Sequence, residues 1–192
     1  MVANRDEFHA RPARGAQFWP EHPQVLAGLD LEAGGTWMGV TREGRFAAIT
    51  NVRRLPAPHK GSVSRGKLVA DFLSGNSSCE AYLNPIHDQG TLYDGFNLLV
   101  GNRHECWYLS NHNGHGPQKL AAGLYGLSNA QLNTSWPKVE FAKDALAQWL
   151  GNKTKIETNR KTTADLYTLL NNPQGYPTEQ LPDTGIGEEW EE

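Results

Sequence analysis

Two pairs of short apolar segments, each pair joined by a tight polar turn, limit the fold more than any other part of the sequence. "TWMGV" (36–40) and "RFAAIT" (45–50) flank "TREG", whose Gly44 suits a hairpin turn, so they predict paired antiparallel strands. "FNLLVG" (96–101) and "ECWYLS" (105–110) repeat the arrangement around "NRH". Strand pairs of this kind argue against a doubly wound parallel sheet, in which strands alternate with crossover helices.

Helices are read between and after these pairs. In "SRGKLVADFLSG", Leu68, Val69, Phe72 and Leu73 share a helical face, and Gly75 lies just beyond it. Thr134 or Ser135 can cap a later helix with Pro137 in its first turn. Its apolar stripe is Val139, Ala142, Leu146, Trp149 and Leu150, ending at Gly151. Another helix starts near Thr162 or Thr163 and carries Leu166, Leu169 and Leu170, whereas "YGLSNAQL" (125–132) reads as a strand end or a loop. The expected class is α+β, a layered sandwich. A chain of 192 residues can bury one core. One domain over 1–170 is therefore expected, with an acidic, Pro/Gly-rich tail over 171–192.

Charge and composition then narrow the partners. Net charge is -3, but six acids and no Lys or Arg fall in the last 18 residues; the rest carries 18 basic against 15 acidic side chains. That mild excess leaves no footprint for nucleic acid. No apolar run approaches the roughly 20 residues of a membrane span, and no signal peptide is visible, so a cytoplasmic protein without stable membrane insertion is expected. Cys79 and Cys106 form no CxxC pair. "GG" (34–35) lies in neither GxGxxG nor GxxxxGK[ST] and reads as a turn or close backbone packing. Trp19, Trp37, Trp107, Trp136 and Trp149 read as core or pocket wall, since no basic stripe accompanies them.

The polar cluster at the start of the chain gains meaning from four later segments. "ANRDEFHARP" (3–12), "LEAGGTWMGV" (31–40), "RFAAITNVR" (45–53), "GFNLLVG" (95–101) and "YGLSNAQLNTSWPK" (125–138) occur in that order. Together they resemble the NRDE, or Transport and Golgi Organisation 2, family over roughly residues 3 to 150. The resemblance implies an Ntn-hydrolase-like sandwich of two stacked, mostly antiparallel sheets flanked by helices. Members typically open with Met-Cys and an apolar strand before the NRDE block, and continue into further strands past the acidic loop. Against that pattern the chain is expected to be cut short at both ends, and a missing strand would favour a homodimer or aggregation.

An Ntn hydrolase uses its first side chain as nucleophile and its own α-amine as base. Removing Met1 would expose Val2, which has no nucleophile, and neither cysteine is terminal. The supporting residues fare better. By analogy with choloylglycine-type hydrolases, Arg5 and Asp6 match the Arg and Asp that orient the nucleophile. Asn51 and Asn129 are candidates for oxyanion donors, with turn chemistry at strand ends as the alternative. On a strand, Asn4 and Asp6 would share one face, and Arg5 and Glu7 the other.

The family resemblance also implies haem trafficking and the handling of acyl-CoA or lipid-derived ligands. His9, His104, His112, His115 and Cys106 are axial-ligand candidates, of which His9 beside the NRDE block is singled out. "HNGH" (112–115) reads as a solvated loop, and Cys106 as a small buried hydrophobe. The leading expectation is a protein that binds or carries a hydrophobic, carboxylate-bearing ligand, haem or an acyl derivative. Its ligand-binding candidates are Asn4, Arg5, Asp6, Glu7, His9 and Arg53; no metal site or other cofactor is expected. The alternatives are an Ntn-type amide hydrolase whose Cys lies upstream of Met1, and a secretory-pathway organisation factor.

Overall fold

Gly44 has φ +90°, a left-handed conformation that favours glycine, and closes the turn at "TREG". Its N–H donates to the Thr41 carbonyl at 3.0 Å, and the Thr41 N–H donates to the Arg45 carbonyl at 2.8 Å. This hairpin is the middle of a seven-stranded sheet. The computed structural model describes residues 1–5, 7, 9–52, 61–151, 161–171 and 176–177. Its strands are β1 (Ala13–Phe18), β2 (Val25–Asp30), β3 (Met38–Thr41), β4 (Phe46–Asn51), β5 (Phe96–Gly101), β6 (Cys106–Ser110) and β7 (Gln118–Leu120). They lie side by side in chain order, and every neighbouring pair is antiparallel. The expected α+β class is what the structure has, and among the described residues the strands form one sheet.

Register sorts the strand residues between the two faces. Val25 and Ala27 of β2, Ala47 and Ile49 of β4, Phe96, Leu98 and Val100 of β5 and Leu109 of β6 share one face. Helices α1 (Gly66–Ser74) and α2 (Cys79–Asp88) cover it, adding Leu68, Val69, Phe72, Leu73, Cys79, Leu83 and Ile86 to the core. At Gly39 of β3 the Leu73 side chain of α1 lies close: a Cβ there would stand 2.6 Å from a Leu73 methyl. Ser78 caps α2 by accepting from the Ala81 N–H.

The "GG" pair is close backbone packing plus a turn, as expected. Gly34 has φ +73°, and a Cβ on Gly35 would stand 2.4 Å from the Gly66 carbonyl carbon. The Thr36 N–H donates to the Gly66 carbonyl at 3.1 Å, which seats the start of α1 on this loop. Arg11 is bonded at the start of the same loop, donating from Nε and a terminal nitrogen to Asp30 Oδ2 at 3.0 and 2.7 Å. Burial pushes the Asp30 carboxyl up, but the Arg11 bonds and the backbone N–H groups of Ala33 and Glu32 more than offset this and hold it below its usual value. A depressed carboxylate stabilises the fold above its unfolded pKa and loses that contribution as pH falls through its folded value. Arg11→Ala should therefore cost about 1–2 kcal/mol at pH 7. Urea titrations should show that difference shrinking as pH falls below about 4.

The described chain divides into two compact bodies: Phe8–Gly123 with Ser128–Gln131, and Met1–Glu7 with Leu124–Leu127 and Leu132–Glu192. The first carries the sheet with α1 and α2. In the second, α3 (Pro137–Gly151) and α4 (Lys161–Leu170) pack together at the positions the sequence predicts. The α3 stripe is covered unevenly: Val139 is buried, Ala142, Leu146 and Trp149 are half-buried, and Leu150 is exposed. Most of the acidic tail expected at 171–192 lies outside the described residues.

Candidate functional site

The sequence candidates fall into separate places. Asn51, at the end of β4, and Asn129 are brought together: the Asn129 side-chain amide donates to the Asn51 backbone carbonyl at 3.0 Å. The residues around them are held by a buried polar cluster. Asn97 of β5 is fully buried; its Nδ2 donates to the Ala130 carbonyl at 2.7 Å and to Thr50 Oγ1 at 3.2 Å, and its Oδ1 accepts from the Tyr108 hydroxyl at 2.7 Å. Thr50 Oγ1 in turn donates to the Ser128 carbonyl at 2.9 Å. The "SNA" loop thus rests on side chains of β4 and β5. Sequence reasoning missed Asn97, although an amide inside the apolar run "FNLLVG" is itself a signal, because a buried polar group needs partners.

The NRDE segment belongs to the second body. Asn4 Nδ2 donates to the Leu170 carbonyl at the end of α4, at 2.8 Å. Arg5 and Glu7 form an ion pair at 3.7 Å. The described residues 1–5 and 7 form no regular strand. Asp6 and Arg53 lie outside the described residues. His9, His104, His112 and His115 are all exposed. Among the described residues no group of three or more His, Cys, Asp or Glu side chains is arranged to hold a metal ion.

The two cysteines lie on opposite sides of the sheet. Cys79 packs with the helices, whereas Cys106 pairs with Gly101, opposite Phe46, on the other face. Burial pushes the Cys79 thiol up to about 11, with Glu105 nearby adding to the shift, and burial also raises Cys106. Neither offers a thiolate nucleophile at neutral pH.

That other face has an apolar row running across the strands: Phe18, Leu26, Val40 and Phe46 are successive cross-strand partners, and Met38, Ala48 and Leu99 lie beside them. Val40 is 44% exposed and Phe18 43%; Leu26, Met38, Phe46 and Leu99 are half-buried. At the edge of the row the Arg42 guanidinium lies 3.9 Å over the Phe18 ring. Arg42, a cation beside an open apolar surface, is a second residue that sequence reasoning missed.

Comparison with known proteins decides the family. The sequence family described as Transport and Golgi organisation 2 matches residues 1–192. The chain belongs to the Transport and Golgi organisation 2 family. The Transport and Golgi organization protein 2 homolog of Bos taurus is 38% identical over 195 residues, covering 97% of this chain and 68% of that protein. The Homo sapiens homolog is 36% identical with the same coverage. The Drosophila melanogaster Transport and Golgi organization protein 2 is 28% identical, over 97% of this chain and 72% of its own length. Among solved structures, penicillin V acylase from Agrobacterium tumefaciens aligns with 76% of this chain and 54% of its own, at a TM-score of 0.39 and 11% identity. In this member of the Transport and Golgi organisation 2 family, no helix among the described residues is long and apolar enough to cross a membrane.

Proposed function

We propose that the chain binds and carries a hydrophobic, carboxylate-bearing ligand, with haem the first to test and an acyl derivative the next. The observation that carries this reading is the half-open apolar sheet face bordered by Arg42. Strands β2 to β5 lie side by side at about 4.8 Å spacing, giving an apolar floor about 14 Å across on which a flat or extended apolar molecule can rest. Burying such a surface against an apolar ligand is favourable. A guanidinium at the rim supplies the charge-assisted hydrogen bonds a carboxylate seeks. Family membership is compatible with this reading. The relatives' names speak of transport and Golgi organisation; a role of that kind for this chain is an alternative that none of the residues described favours. The alternative of amide hydrolysis calls for a cysteine upstream of Met1 and draws nothing from Cys79 or Cys106, whose thiols burial makes harder to ionise.

Titrating haem and following the Soret band tests the proposal. Wild type should bind measurably more tightly than an unrelated protein of similar size. Val40→Asp, which puts a charge on the floor, should weaken binding about tenfold or more, and Arg42→Ala about threefold to tenfold. Binding no tighter than that of the unrelated protein, or equal affinity in all three forms, would overturn the proposal.

A further inference from the structure

We propose that Asn97 is a positioning residue, whose buried amide holds the loop of residues 128–131 against the sheet and so sets where Asn129 stands against Asn51. Placing an amide on a central strand exposes the fold to a desolvation cost that an apolar residue of similar volume avoids. Here the cost is offset by complete pairing. Both oxygen and nitrogen of the Asn97 side chain are bonded, with Tyr108 on one side and Thr50 and Ala130 on the other. What the arrangement holds is the loop. Bonds that join loop and strands run from Asn97 to the Ala130 carbonyl, from Thr50 to the Ser128 carbonyl, and from Asn129 to the Asn51 carbonyl. Each has a side chain as donor and a backbone carbonyl as acceptor, unlike the backbone ladder that joins the strands themselves.

The chain order gives the loop a second significance. Ser128–Gln131 groups with the sheet-bearing body, whereas Leu124–Leu127 before it and Leu132 onward after it group with the other. Four residues have little apolar surface with which to anchor themselves, and the polar bonds supply the anchor. Without Asn97 the Ala130 carbonyl and the Tyr108 hydroxyl lose a partner together. The loop should then open locally while the helix-covered core stays closed. The positioning of Asn129 stands on this geometry alone; its relevance to ligand rests on the reading proposed above.

Hydrogen exchange on the full chain, read by mass spectrometry, tests the inference with Asn97→Leu, Thr50→Val and Tyr108→Phe. In Asn97→Leu, peptides within 126–133 should exchange roughly tenfold faster or more, while those from α1 and β5 keep wild-type rates. Thr50→Val and Tyr108→Phe each remove one hydroxyl and should give a local acceleration of about threefold to tenfold. They carry the test if Asn97→Leu does not fold. Unchanged exchange in 126–133, or acceleration spread evenly over the chain, would overturn the role of Asn97. With haem as probe, the folded variants should bind at least about threefold more weakly than wild type at unchanged urea stability of the core. Local opening with unaltered haem affinity would separate the loop from the ligand site and overturn that link. If wild type binds no haem, the ligand reading falls, and the exchange data alone judge Asn97.

Discussion

Replacing Phe72 with alanine should cost about 3–5 kcal/mol of folding stability, a large part of the 5–15 kcal/mol typical of a domain. Phe72 is fully buried on α1, and its ring has two close partners. Its ring meets that of Tyr82 with centroids 5.1 Å apart, and the Arg45 guanidinium lies 3.9 Å over it. Arg45 is fixed there by two further bonds, to the Phe72 and Ser77 carbonyls at 2.9 Å each, so it ties the β3–β4 hairpin to the end of α1. Burial holds the Arg45 guanidinium below its usual pKa, and it meets carbonyls and a ring there, not a carboxylate. Truncating Phe72 therefore removes apolar contacts and the face of the ring that offsets the cation's desolvation. Phe72→Leu keeps most of the volume and should cost less than about 2 kcal/mol. Urea unfolding monitored by far-UV circular dichroism would compare the two. A loss below about 1 kcal/mol for the alanine variant would mean that this cluster does not hold α1 to the sheet.

How far each element is legible in the sequence depends on its physical cause. The strand β5 lies at the residues expected, because a continuous apolar run between polar turns leaves little choice. β1 escapes a sequence reading because all six of its residues are exposed, so "ARGAQF" shows no alternation to detect. α2 escapes it for another reason: Pro85 lies inside the helix, which normally argues against one. The proline stands in the seventh of ten positions, and Leu83 and Ile86 still bury themselves against the sheet.

The site residues divide in the same way. Asn51 and Asn129 are candidates through the family resemblance, yet their contact joins residues 78 apart and is written in no local pattern. Asn4 is a ligand candidate by resemblance, and the structure has it donating to a carbonyl at the end of α4. Arg42 is, in the sequence, only part of a turn. Its significance depends on Phe18, on a strand that the sequence does not reveal.

The two neighbouring glycines should respond very differently to the same substitution, and the difference separates two reasons for a glycine. Gly34 has φ +73° with open space around its would-be Cβ, so Gly34→Ala should cost only the left-handed conformation, about 1–2 kcal/mol. Gly35 has no such backbone requirement, but its Cβ would stand 2.4 Å from the Gly66 carbonyl carbon and 2.7 Å from the oxygen. Neither backbone can yield cheaply. The Gly35 carbonyl accepts from the Asp30 N–H at 2.8 Å, and the Gly66 carbonyl accepts from the Thr36 N–H at 3.1 Å. Relieving the clash means parting the loop from the start of α1, with loss of packing behind Leu68 and Val69. Gly35→Ala should therefore cost about 3 kcal/mol, at the upper end for overpacking, and more than its neighbour. Thermal unfolding of the two variants would rank them. The reverse order would mean that the turn, and not the contact between Gly35 and Gly66, is what "GG" provides. The expected order would make the pair chiefly a seat for α1, the helix whose Phe72 and Leu73 close the core over the sheet.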